Sequence, residues 1–347
     1  MGLEFRGSWP LSLMSKSVEE LLEQEDYKAI EKLGYYVLKE FPCKKFLFKK
    51  DVCIAKGITE IPSDGFDGVK VKSVVIPSTV TQIGDGAFSG CESISSIKIP
   101  SSVTSIGSYA FYDSKSLKSV SLPSSITKIP ESAFDGCESL SSIEIPPSVT
   151  EIGEGAFARL TSLKSLSIPS TVTSIEKHAF SGCTSLKEVE ISASVIGEEA
   201  FVECTSLKKV TFTSSVTQIG DLAFSKCSSL KSISLPPSIT RICDRAFHKC
   251  SALKEVEFNA SITNIERGVF WLCTSLTSIT IPPTVTKIGE YAFCVCTSLK
   301  TVTIPSSVTE ICNSAFASCD SLSSVKLPPS VTEIGRDAFP KECKLIR

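Results

Sequence analysis

The run Ser116-Leu-Lys-Ser-Val-Ser-Leu-Pro-Ser-Ser-Ile-Thr-Lys-Ile-Pro-Glu-Ser-Ala-Phe-Asp-Gly-Cys137 contains one unit of a pattern that fills most of the chain. Leu117, Val120 and Leu122 stand as apolar-x-x-apolar-x-apolar, and the last part alternates as a strand with one buried face does. Pro123 ends that strand, because proline has no N–H to continue a parallel ladder. Ile126 and Ile129 carry a second short extended run. Ala133-Phe134 then closes the unit through a turn or a 3₁₀ piece, and Cys137 follows three residues on.

Outward from this unit, the phenylalanines give the period. Phe88, Phe111, Phe134, Phe157, Phe180, Phe201, Phe224, Phe247, Phe270, Phe293, Phe316 and Phe339 are 23 residues apart, except for a gap of 21 between Phe180 and Phe201. Phe66 adds an earlier, looser coil. A fixed period in the twenties, with the other apolar columns in the same register, is the mark of a solenoid. Such an array lets 347 residues fold as one unit, since each coil packs only on its neighbours. About thirteen coils at ~4.8 Å make a body roughly 60 Å long. The coil with Ser192 to Ile196 is two residues short and lacks its proline, and a local change in curvature is expected there.

The quoted unit resembles the BspA-type, or Treponema pallidum-type, class of leucine-rich repeat, and the resemblance covers residues 52 to 343. It implies a mainly β leucine-rich-repeat solenoid, an interaction module, and, by its bacterial members, a cell-surface adhesin for host or matrix proteins. It supplies no catalytic residues.

The chain divides into a leader (1–14), a helical N-terminal cap (15–50), the solenoid (51–343) and a tail (344–347). In the cap, Ser17 and Glu20 form a capping-box signature, and Val18, Leu21, Leu22, Ile30, Leu33 and Val37 recur at helical spacing. A helical pair covering the first coil is expected, with docking of a partner as its alternative. Lys39, Lys44, Lys45, Lys49 and Lys50 interleave with Phe41, Phe46 and Phe48, as a solvated turn around core rings, with a weak contact to an anionic surface as the alternative.

With 42% hydrophobic and 21% charged residues the composition is that of a folded soluble protein, and a net charge of −2 gives no global pull toward nucleic acid or an anionic membrane. No run of ~18 apolar residues and no signal-peptide pattern is present. Arg6 and the last four residues lack the features of myristoylation and prenylation sites. These features predict a cytoplasmic protein without membrane insertion, with the cell surface as alternative. On the same reading, the Asn259-Ala-Ser261 sequon is a coincidence.

Fifteen cysteines suggest redox or metal chemistry until they are placed in the repeat. Cys91, Cys137, Cys183, Cys204, Cys227, Cys250, Cys273, Cys296 and Cys319 all lie three residues after the Phe, as small buried hydrophobes of one column. Cys243, His248 and Cys250, or Cys294 and Cys296, lack zinc-site spacing. His178 and His248 are the only histidines, and neither has a nucleophile and acid beside it. Gly84-Asp-Gly86 belongs to the repeat's own turn rather than to a phosphate loop, since Pro130 occupies the first glycine's column. No enzyme, cofactor or metal is expected.

Two surfaces are candidates for a protein partner. The strand face carries a stripe of Lys118, Lys164, Lys187, Lys208, Lys231, Lys254 and Lys300, beside Ser, Thr and the acidic Glu188, Glu190, Glu255 and Glu257. It would accept an acidic protein segment or serve only solubility. The scarcity of aromatics and arginine there argues against nucleic acid. In the turn after the Phe, most coils have small or polar residues, but Trp271, Leu272 and Val295 break the column and Tyr291 stands nearby. Together they would make an apolar patch with aromatic anchors.

Overall fold

In a computed structural model, which describes residues 16–41 and 50–347, the chain winds into a β-solenoid of about 13 turns of ~23 residues. Each turn contributes up to two short strands, Ser119–Ser121 and Lys128–Ile129 in the unit quoted above. They pair in parallel and in register with the same positions one turn away: Ile97 with Val120, and Ile129 with Ile152. The inward Val120, Ile126 and Ile129 are buried while Ser119 and Ser121 face solvent. Alternation in the sequence has thus become the two sides of a sheet.

The Phe column forms the spine. From Phe66 to Phe339 successive rings stack with centroids 5.1–5.6 Å apart. Fully burying one such ring contributes about 1.5–3 kcal/mol, a gain no isolated coil could reach. The shortened coil passes through without a slip: Ile175 pairs with Ile196, Ile196 with Ile219, and Val189 with Val210. The missing residues come out of the link between the two strand rows. Their trace is in the rings on either side of Phe180, where the interplanar angle reaches 13°.

The turn around each Phe has an unusual backbone. Two residues before the Phe, and again two residues after it, φ is positive in coil after coil, as at Tyr109 (59°) and Asp113 (51°) or Tyr291 (56°) and Val295 (61°). The N–H groups at these positions point along the stack and donate to the next coil: Tyr109 to Glu131 O (2.9 Å), Asp113 to Asp135 O (2.8 Å), Val295 to Ala317 O (2.8 Å). The ladder requires the left-handed conformation whatever side chain is present. Four residues before the Phe, glycine has another cause: a Cβ at Gly107 would lie 2.4 Å from Asp85 N, so the backbones of neighbouring coils approach too closely for a side chain.

The cysteine column is buried, and each thiol also donates a hydrogen bond. Cys137 Sγ donates to Phe111 O (3.1 Å), Cys227 to Phe201 O (3.4 Å) and Cys319 to Phe293 O (3.1 Å). Ser114 takes the same place and bonds Phe88 O at 2.7 Å. Burial pushes the thiols of Cys183 and Cys250 up to about 12, so they stay protonated donors.

At the N-terminal end, α1 (Val18–Glu23) and α2 (Tyr27–Lys32) bury Leu21, Leu22, Ala29 and Ile30 against Val37, Cys53 and Ala55. The Ser17–Glu20 capping box is formed, with both reciprocal bonds in place. The helical spacing overreaches at Leu33 and Val37. Gly34 (φ 92°) ends the helical stretch, Leu33 is exposed, and Val37 lies in the strand Tyr36–Leu38, which pairs with Asp51–Ile54 and begins the parallel stack. At the other end, Lys344–Ile346 is a strand on Ser324–Lys326 rather than a free tail, because its N–H groups find carbonyls in the coil beneath. The proposed leader 1–14 and Cys43, Lys44, Lys45, Phe46, Phe48 and Lys49 lie outside the described residues. Among the described residues no helix is long and apolar enough to cross a membrane.

Candidate protein-binding surface

The turn ridge brings Trp271, Leu272, Tyr291 and Val295 together across two neighbouring coils, as their column positions predict. Trp271 and Tyr291 stack at 5.7 Å with an interplanar angle of 28°, and both are half-buried. Leu272 and Val295 occupy the same column one coil apart and are also half-buried. Cys294, part of the same run in the sequence, points inward and is buried.

Three further residues complete the patch and were not singled out for it. Arg245 lies over the Trp271 ring (5.6 Å to the centroid) and Arg267 over Tyr291 (5.8 Å). His248 packs against Trp271 at 5.1 Å, with its Nδ1 3.2 Å from Ser225 Oγ. Burial, helped by Lys249, Arg245 and Lys226, pushes His248 down to about 4, so it is neutral at physiological pH. Gly268, on left-handed backbone (φ 60°), eases the arrangement. A Cβ there would lie 3.2 Å from Arg245 Cγ and 3.6 Å from Trp271 Cβ, so the missing side chain lets guanidinium stem and indole close over the backbone. Comparing the columns on either side of the Phe would have revealed Arg245 and Arg267, since few other coils place arginine there.

Four of the patch side chains stand on left-handed backbone: Arg245 (φ 54°), Leu272 (65°), Tyr291 (56°) and Val295 (61°). A β-branched residue with positive φ is a genuine outlier, and each such non-glycine costs on the order of 1 kcal/mol. Elsewhere in the column of Leu272 and Val295, Gly68, Gly90, Gly136 and Gly182 avoid that cost.

A second aromatic–arginine cluster lies on the same ridge, roughly 35 Å away along the stack. Tyr109 and Tyr112 meet edge to face at 5.8 Å, and Arg159 lies over Tyr112 at 5.5 Å. This arginine is neutralised: its Nε is 2.7 Å from Asp135 and a terminal nitrogen 3.2 Å from Asp113. The bond to Asp135 raises the arginine's own pKa.

The lysine stripe lies on the strand face, away from this ridge. Lys118, Lys164, Lys187, Lys208, Lys231, Lys254 and Lys300 are all exposed, and none makes an ion pair among the described residues. Lys164, Lys187, Lys208, Lys231 and Lys254 fall in consecutive coils, with Lys208 N donating to Lys187 O (2.8 Å) and Lys254 N to Lys231 O (2.8 Å). Among the described residues no group of three or more His, Cys, Asp or Glu is placed to hold a metal ion.

The sequence matches the family described as "BspA type Leucine rich repeat region (6 copies)" over residues 59–187, 150–277 and 218–347. Among solved structures it is similar to a leucine-rich repeat protein from Bacteroides ovatus, with 29% identity over 77% of this chain and 88% of that one, and a TM-score of 0.54. A leucine-rich repeat protein from Eubacterium ventriosum is 26% identical over 82% of this chain and 86% of its own, with a TM-score of 0.56. The pneumococcal vaccine antigen PcpA, 20% identical over 90% and 82% with a TM-score of 0.50, shares the fold. The comparison with curated proteins gave no match.

Proposed function

This chain belongs to the BspA-type leucine-rich repeat family, and from that premise we propose that it is a non-catalytic scaffold that binds another protein through the turn ridge around Trp271. Leucine-rich repeat proteins are generally protein-interaction scaffolds, and their solenoids are typically non-enzymatic. The observation that carries the reading is the patch itself. Trp271, Tyr291, Leu272 and Val295 join aromatic and aliphatic side chains across two neighbouring coils of a ridge whose turn after the Phe is mostly small or polar, and Leu272 and Val295 sit where glycine is the relaxed choice. Trp, Tyr and Arg are also the residues that dominate binding energy at protein interfaces. The lysine stripe is the second surface, suited to long-range attraction more than to tight contact.

The test is a pull-down from native extract with the wild-type protein and the Trp271→Ser/Leu272→Ser variant, read by mass spectrometry beside a melting curve. The main partner should be lost from the variant while the melting temperature moves by no more than about 3 °C. A large drop in melting temperature would place the pair in the core and overturn the proposal. Identical partner sets would move binding to the lysine stripe or the N-terminal helices.

A further inference from the structure

The two aromatic–arginine clusters differ in one respect that bears on what the ridge binds. Arg159 has two carboxylates within ion-pair reach, Asp113 and Asp135. Arg245 and Arg267 have the same stacked placement on a ring, yet among the described residues neither pairs with an acid. Asp244 and Glu290 are the acids nearest in the columns. They flank Arg267 without reaching it, and Glu290 is engaged with Asn313 Nδ2 at 3.4 Å. A guanidinium lying over an aromatic face keeps its N–H edge outward, in the plane that suits a carboxylate. Exposed Lys249, in the coil of Arg245 and without an ion pair among the described residues, adds a third cation at the rim.

We propose that the occupant of this patch is an acidic segment of a partner protein, carrying a carboxylate that Arg245 and Arg267 grip and an apolar side chain that settles on Leu272 and Val295. The inference rests on the reading of the ridge as a protein-binding surface. The aliphatic pair is what selects a peptide over an acidic sugar: a saccharide stacks on Trp and Tyr faces but gains little from Leu and Val, whereas a Leu or Phe of a peptide buries apolar area there. Arg245 is expected to contribute more than Arg267, because the neighbouring coils place Leu222 and Gly268 in its column, whereas Arg267 stands in its column between Asp244 and Glu290. His248, held neutral by burial and by its cationic neighbours, adds no charge to the patch at neutral pH.

The experiment is selection of random peptides displayed on phage against the immobilised protein, followed by affinity measurement of the enriched sequences on the wild type and three variants. Enriched peptides should pair Asp or Glu with a neighbouring Leu, Phe or Trp. They should bind Arg245→Gln at least tenfold more weakly and Arg267→Gln a few-fold more weakly, and bind Trp271→Ser least of all. Raising the salt from about 0.05 to 0.5 M should weaken them several-fold on the wild type and much less on Arg245→Gln. Peptides that lose Trp271→Ser but keep full affinity for both arginine variants would overturn the acidic partner and leave the ridge as a binding surface. Peptides indifferent to all three variants would overturn the ridge itself. A hyaluronate octasaccharide that binds the wild type and is lost on Arg245→Gln, with no peptide behaving so, would replace the peptide by an acidic sugar.

Discussion

The ridge over Phe111, Phe134 and Phe157 and the ridge over Phe247, Phe270 and Phe293 are built on the same spine, with ring spacings of 5.2–5.6 Å beneath both. Both use the same left-handed turns and the same combination of arginine over tyrosine or tryptophan. In the first, Asp113 and Asp135 close the electrostatics internally, and Gly136 fills a left-handed position at no steric cost. In the second, the guanidinium groups pair with no carboxylate among the described residues, and left-handed positions carry Leu and Val. The difference teaches that aromatic–cation packing alone does not identify a binding surface. What separates the clusters is whether the charge is answered within the chain, and whether the position two residues after the Phe carries an aliphatic side chain; left-handed non-glycine residues occur in both, as at Tyr109, Asp113 and Arg159 in the first.

The sharpest way to break the comparison is to exchange the residues that define it. A Cβ at Gly136 would lie 2.1 Å from Asp113 Oδ1 on left-handed backbone, so Gly136→Val should destabilise by about 2–3 kcal/mol in urea unfolding. Val295→Gly should instead leave stability unchanged or raise it by about 0.5 kcal/mol, since relief of strain offsets the greater freedom of glycine when unfolded. If both swaps destabilise alike, strain does not distinguish the two regions.

Removing the arginines probes the charge half of the contrast with a smaller effect. Arg159→Gln strands two aspartates, and because the guanidinium is itself half-exposed the loss should be no more than about 1 kcal/mol. Arg245→Gln should change stability by less than about 0.5 kcal/mol, since Arg245 has no ion pair among the described residues. Equal losses would show that Arg245 has a structural carboxylate after all.

The second cluster also carries a pH dependence near and below neutrality. With His248 lowered from 6.5 to about 4, the unfolded chain binds the proton more readily than the folded one. The associated stability is therefore fully present above pH 6.5 and is lost as pH falls toward 4. For a partly exposed ring the loss is on the order of 1 kcal/mol after screening. It should be visible as a difference in the pH profiles of wild type and His248→Gln, and parallel profiles would remove His248 from the account.

The period, the two strand rows and the buried Phe and Cys columns were legible because each is set by burial, and burial recurs at every coil. The limits of helical periodicity show at Leu33 and Val37: a spacing that suits a helix also suits the first strand, and only the tertiary ladder decides. Lys344–Ile346 was missed for the same reason. On the ridge, Trp271, Leu272, Tyr291 and Val295 stood out as exceptions to their columns. The partners that give the patch its charge did not, because a guanidinium over a ring is a contact between coils, and only a comparison of arginine positions across the columns points to Arg245 and Arg267. Nor was the left-handed backbone readable, since the ladder imposes it on Arg, Glu, Lys and Leu as well as on Gly.

That backbone ladder has an evolutionary corollary. Its hydrogen bonds run between main-chain atoms of successive coils, so the two left-handed residues of each coil can change identity without altering how the coils join. Every departure from glycine erodes some of the stability margin, which limits how many coils can carry bulky residues at once. Within that limit, new surface specificities can arise by single substitutions in one coil, or by duplicating a coil that already bears a useful pair, while the spine beneath is inherited unchanged.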